Sequence, residues 1–293
     1  MSSTVCFARG TRERRWPLSL FLSAGSSLRI NPRSRVLACG ALSLVTALAS
    51  SCPASIAAQI APALPWVTRA PLIVIGFMGG NVSGGNLLHR EAQLARDLDR
   101  RYPNAVRALT FANHDEASAL HSVLNLLDTD HDGSLSDSEK TAARIVLYGH
   151  SWGASETVNF AQELDRRGIP VLLTIQVDSV RKHGEHDGSI PGNVREAINF
   201  FQTEGILHGR RSIRAVDPTR TRILGSFEST YETTPVSLAG FPWFARTFMK
   251  QHIEIENDLA VWNQIDALIV ARSCATNPAG MGHACGGTNL AAR

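Results

Sequence analysis

The chain has 293 residues, of which 44% are hydrophobic and 19% charged. That balance excludes a disordered chain and a coiled coil, and a single apolar run near span length excludes a polytopic membrane protein. The net charge of +3 is unevenly spread: residues 1–57 hold seven arginines and one glutamate, which leaves residues 58–293 at −3. A nucleic-acid binder carries its basic residues on the folded domain, so nucleic acid is not an expected partner.

In chain order, residues 1–35 are rich in Arg, Ser and Pro. Val36–Ala49 (VLACGALSLVTALA) is then apolar for 14 residues. A basic flank, a short apolar centre and small residues at Ala54, Ser55, Ala57 and Ala58 describe an export signal. The reading is residues 1–57 as leader and residues 58–293 as one domain, exported to a periplasmic or secreted location. The rival readings are an uncleaved anchor over residues 36–49 or a lipid at Cys39 or Cys52, and in either case membrane contact runs only through this segment. Cys274 and Cys285 are the two cysteines outside the leader. In an exported protein such a pair suggests a disulfide across the C-terminal tail.

From residue 71 onward, strand-length apolar runs alternate with helical patterns. Pro71–Phe77 reads as a buried strand. Leu87, Leu88, Glu91, Leu94, Ala95 and Leu98 recur at helix spacing, and the helix stops before Pro103. Ala105–Phe111 reads as a strand and Ala117–Leu127 as a helix. Arg144–Tyr148 is a third strand, followed by a helix to about Arg166. Val171–Val177 is a fourth. Glu196–Gln202 fits strand or helix, with strand preferred. Arg222–Phe227 is a short strand, and Asn257–Arg272 has the period of a closing helix. This alternation predicts an α/β fold, a mainly parallel sheet with helices on both faces.

Two motifs carry chemistry. Residues 128–139, DTDHDGSLSDSE, place Asp128, Asp130 and Asp132 at positions 1, 3 and 5 of an EF-hand-like loop. Gly133 sits at position 6, Ser134 at 7, Ser136 at 9 and Glu139 at 12. Hard oxygen donors at that spacing predict a structural Ca²⁺ site. The other motif is Gly149-His150-Ser151-Trp152-Gly153, which follows the strand RIVLY and precedes a helix. That context turns G-x-S-x-G into a nucleophile elbow. The cluster His183, His186 and Asp187 is read as a solvated polar loop rather than a metal site.

With the elbow in place, residues 71–272 resemble the α/β-hydrolase fold, as in lipases and esterases. The resemblance implies a triad in the order serine, acid, histidine: Ser151 as nucleophile, His252 as base and Asp178 as acid, with Glu204 and Asp217 as alternative acids. It also implies an oxyanion hole from the Trp152 amide and that of Phe77 or Met78, in the glycine-rich turn Gly76–Gly80. The histidine that opens this turn in many lipases is absent. The expected activity is hydrolysis of a carboxylic ester, small-molecule or lipid, with thioester and amide chemistry sharing the constellation. The alternative is a non-catalytic calcium-binding module on a hydrolase scaffold.

Overall fold

The computed structural model describes residues 70–182, 184 and 187–273, all within the unit Leu64–Arg293. The leader with Cys39 and Cys52, the Cys274–Cys285 pair, and His183 and His186 lie outside the described residues. Among those described, no helix is long and apolar enough to cross a membrane.

Six strands form one all-parallel sheet: β1 (Leu72–Met78), β2 (Val106–Ala112), β3 (Ile145–His150), β4 (Val171–Val177), β5 (Val194–Phe201) and β6 (Arg222–Glu228). Their order across the sheet is β2-β1-β3-β4-β5-β6. Every residue of β1 and β3 is buried, as expected of central strands covered on both faces. Alternation then divides the core in two. Leu72 and Val74 point to one face, with Leu94, Leu98, Trp262 and Ile265. Ile73, Ile75 and Phe77 point to the other, with Val123, Val158 and Phe160.

The covering helices are α1 (Arg90–Arg101), α2 (Glu116–Leu127), α3 (Asp137–Ala142), α4 (Trp152–Arg166), α5 (Trp243–Phe248), α6 (Lys250–Asn257) and α7 (Leu259–Ser273). Helix α1 ends at Arg101, with Tyr102 as its non-helical cap before Pro103, because the residue before proline disfavours helical backbone. Helix α3 starts on a capping box, with Ser136 and Glu139 serving each other's backbone amides. The segment 196–202, read with strand preferred, is strand as far as Phe201: β5 pairs with β4 on one side and β6 on the other.

The sequence reading missed α5 and α6. Helix α6 buries His252, Ile253, Glu254, Ile255 and Glu256 consecutively, so it shows no one-sided apolar stripe to detect. His252 therefore stands on a helix of its own, just ahead of the closing helix α7.

This strand order contains a reversal. The chain runs outward from β1 to β2, then crosses back to β3 on the other side of β1. In open α/β sheets the crevice at such a reversal, beyond the carboxyl ends of the strands, is where ligands bind. Here it lies between the turn after β1 and the residue after β3. Those are Gly79 and Ser151.

Candidate active site

Ser151 is the N-cap of α4, with φ 57° and ψ −122°. That is sparsely populated backbone for a non-glycine residue, held by its surroundings. The Ser151 amide donates to Val177 O at 2.9 Å, and its carbonyl accepts from Ala154, Ser155 and Val180. The flanking glycines are required by close approach. A Cβ on Gly153 would lie 2.0 Å from the Phe77 carbonyl oxygen, and one on Gly149 would lie 2.5 Å from the Gly153 backbone. The bend brings strand and helix too close for any side chain at either position.

Ser151 Oγ lies 2.8 Å from His252 Nε2, and His252 Nδ1 lies 2.7 Å from Asp178 Oδ2. All three residues are buried. A carboxylate accepts, so Nδ1 carries the ring proton. Nε2 is left with a lone pair facing the serine hydroxyl. Asp178 follows β4 with φ 45°, and three further donors fix its carboxylate. Gly209 N–H at 2.7 Å and Gln202 N–H at 3.2 Å reach Oδ1, and Gln202 Nε2 at 2.8 Å reaches Oδ2. Burial pushes the Asp178 carboxyl up. The hydrogen bond and charge of His252, with Gln202, outweigh it and hold the group below its ordinary range.

Of the three candidate acids, Asp178 is the one that meets the imidazole. Glu204 accepts from the Tyr231 amide at 2.7 Å, and Asp217 closes an exposed turn onto Thr219. Gln202 and Gly209 had no sequence signal, because their role depends on β5 running beside β4.

The oxyanion donors need a correction. The Trp152 amide opens α4, where the first-turn N–H groups have no intrahelical acceptor, and it stands beside Ser151. The amides of Phe77 and Met78 are differently placed. Leu72 N–H donates to Ala105 O of the β2 side and Ile73 N–H to Arg144 O of the β3 side. Alternation along β1 then turns the Met78 amide toward β2 and the Phe77 amide toward β3, both into the sheet ladder. The next amide, Gly79 N–H, donates to Glu91 Oε1 at 3.2 Å.

Behind the elbow lies a cluster that the sequence did not suggest. Glu91 and Glu256 are buried, and His89 Nδ1 lies 2.5 Å from Glu256 Oε1. Burial, then the charge of Glu256, push the Glu91 carboxyl up to about 8. Burial and the neighbouring His252 push His150 well below its ordinary value, so its ring is neutral. The rings of His150 and His252 stand 4.5 Å apart.

In the loop 128–139, carboxylate oxygens of Asp128, Asp130 and Glu139 come within 4.8 Å of one another. Asp128 accepts from the amides of Asp132 and Gly133, and Asp132 accepts from that of Ser134. His131 and Gly133 take positive φ, 60° and 83°, which curls the loop inward. Glu139 accepts from the Thr129 and Ser136 amides at 2.6 and 3.0 Å. Those bonds hold its carboxyl down to about 2. This donor set, all hard oxygen, fits Ca²⁺. Asp132 stands outside the converging trio and accepts from the Ser134 hydroxyl, and the Ser136 hydroxyl is occupied in capping α3.

A cleft of about 860 Å³ opens beside Trp152, lined by Gly80, Asn113, His114, Trp152, Arg181 and Lys182 among others. Lys182 within it pairs with Glu156 at 2.9 Å.

No protein-family model matches the chain, and no curated protein matches it. Solved structures similar to it include an esterase of Pyrobaculum calidifontis, at 10% identity and TM-score 0.36, covering 71% of this chain and 77% of that one. A putative YdeN-like hydrolase of Pectobacterium atrosepticum matches at 13% identity and TM-score 0.35, covering 70% and 92%. RedJ, with a PEG molecule in its active site, matches at 12% and 0.33, covering 66% and 94%. The fold class itself is visible in the strand order and in the helices on both faces.

Proposed function

We propose that this protein is a serine hydrolase cleaving carboxylic esters. The observation that carries the reading is the unbroken chain of contacts from Ser151 Oγ through the His252 ring to Asp178, at the crevice where the sheet order reverses. Ser151 Oγ attacks the acyl carbonyl as His252 Nε2 takes its proton. Asp178 holds the imidazole in the required tautomer and stabilises its positive charge. The tetrahedral oxyanion forms at the start of α4, where the Trp152 amide and the positive helix end favour negative charge. Its collapse breaks the ester bond, and the leaving alkoxide receives the proton from His252. Water, deprotonated by the same ring, then releases the acid and restores Ser151.

The loop 128–139 holds a structural Ca²⁺ in this reading. Asp128, Asp130 and Glu139 supply its first oxygens, and the ion braces the segment that leads through α3 into β3. The leader directs the chain out of the cytoplasm.

A fluorophosphonate probe tests the chemistry. It should label the wild type and leave Ser151→Ala unlabelled. A folded, calcium-loaded protein that resists labelling and turns over no nitrophenyl ester would instead be a binding module. Esters of graded chain length then define the acyl preference.

A further inference from the structure

We propose that His89, Glu91, His150 and Glu256 bind one divalent transition-metal ion, with Zn²⁺ the expected occupant, at a structural site behind the elbow. Ligand atoms of His89, Glu91 and Glu256 already lie within 4.8 Å of one another. The residues come from separate elements: the start of α1, the end of β3 and helix α6. Only the tertiary fold brings them together.

Two features point to an ion. Glu91 is fully buried, and its Oε2 has no hydrogen-bond partner. A buried carboxylate oxygen left without a partner is costly. The second feature is the direction of the His150 ring. Its Nε2 lies 3.0 Å from the His252 carbonyl oxygen, which can only accept, so Nε2 carries the proton. Nδ1 then holds a lone pair, and it faces Glu256 Oε2 at 3.5 Å. That distance is long for a charge-assisted hydrogen bond, which runs about 2.7–2.9 Å. It is close to the roughly 3.3 Å between two ligands of a tetrahedral ion with bonds of about 2.0–2.1 Å.

The surroundings fit as well. Metal-bound histidines commonly donate their other N–H to a backbone carbonyl, and metal-bound carboxylates accept from nearby amides. His150 does the first. Glu91, accepting from Gly79 N–H through Oε1, does the second. Among the described residues no Lys or Arg pairs with Glu91 or Glu256, whose ring partner is His89; a bound divalent cation would displace the Glu91 proton and balance both carboxylates. Two imidazoles with two carboxylates suit zinc better than calcium. His89, whose side chain is 12% exposed, gives a route in from solvent. The His89–Glu256 contact would open by a small side-chain rotation as both turn to the ion. The bound ion would tie α6, which carries His252, to α1 and the end of β3.

The test uses the full chain, stripped with a chelator, then dialysed against micromolar Zn²⁺ in excess Ca²⁺ so that the 128–139 loop does not compete. Metal content by plasma mass spectrometry should give one zinc per chain in the wild type and in Ser151→Ala. Co²⁺ loading should give the visible absorption of a tetrahedral site. Glu91→Gln and Glu256→Gln should each weaken zinc binding by more than the roughly 10–100-fold seen on losing an outer partner. His89→Gln, at the edge of the site, serves if either buried variant fails to fold. Wild-type protein that retains no zinc, or folded variants that retain it unchanged, would overturn the proposal. In the first case the cluster is a proton-sharing carboxylate pair, and in the second the zinc sits elsewhere. Neither outcome touches the esterase reading, whose test is probe labelling.

Discussion

The loop at residues 128–139 and the buried cluster behind Ser151 use the same side chains in opposite ways. In the loop, backbone and side-chain donors close on Glu139 and hold its carboxyl down to about 2. In the cluster, burial and a second carboxylate push Glu91 up to about 8. Hydrogen bonding to the charged form and loss of water act in opposite directions, so a glutamate's position in the fold, not its identity, sets its charge. The triad lies between these extremes. Asp178 is as buried as Glu91, yet four hydrogen bonds keep it ionised.

Removing the nucleophile or its support breaks this comparison most severely. Ser151→Ala should lower kcat on nitrophenyl acetate by about 10⁶-fold, with urea unfolding little changed. Asp178→Asn should cost about 10⁴-fold, through loss of the His252 tautomer. A fall of less than about 10-fold in either variant would remove the triad from the chemistry.

The elbow itself is tested by Gly153→Ala. Its Cβ would lie 2.0 Å from the Phe77 carbonyl oxygen, backbone that cannot step aside. A loss above about 4 kcal/mol is expected in urea unfolding, beyond the range of ordinary substitutions. A variant of wild-type stability would mean that α4 does not approach β1 so closely.

Smaller effects sharpen the contrast between the carboxylates. If the loop binds Ca²⁺ with a dissociation constant of about 0.1–1 mM, 10 mM Ca²⁺ should add about 1.4–2.7 kcal/mol. The melting temperature should rise by a few degrees, and Asp130→Asn should abolish the gain. An identical melt with calcium and with chelator would reject the ion.

The pH dependence of Asp178 is smaller still. Its folded carboxyl titrates below the ordinary value of about 3.9. Its contribution to stability is therefore complete above that value and is lost as pH falls through the depressed folded one. Urea midpoints between about pH 5 and pH 2 should fall less steeply in Asp178→Asn than in the wild type. Parallel curves would show that the His252 contact does not hold the carboxylate down.

Much of the scaffold was legible because its signals are local. Continuous apolar runs marked β1, β3 and β4 to within two residues. Segment 196–202 was ambiguous because a short apolar run suits strand or helix. Its pairing with β4 and β6 resolves it. The elbow was legible because glycine, serine and glycine at fixed spacing between strand and helix describe one backbone bend.

From sequence alone came the alternating elements, the acidic loop and the bend that presents Ser151. All of these depend on residues within a few positions of one another. Tertiary structure decided which acid meets His252, that Gln202 and Gly209 hold that acid, and that Phe77 and Met78 give their amides to the sheet. It also decided that two glutamates and two histidines from three elements meet behind the elbow. Contacts between distant segments follow from the order in which strands lie side by side, and no local pattern of residues encodes that order.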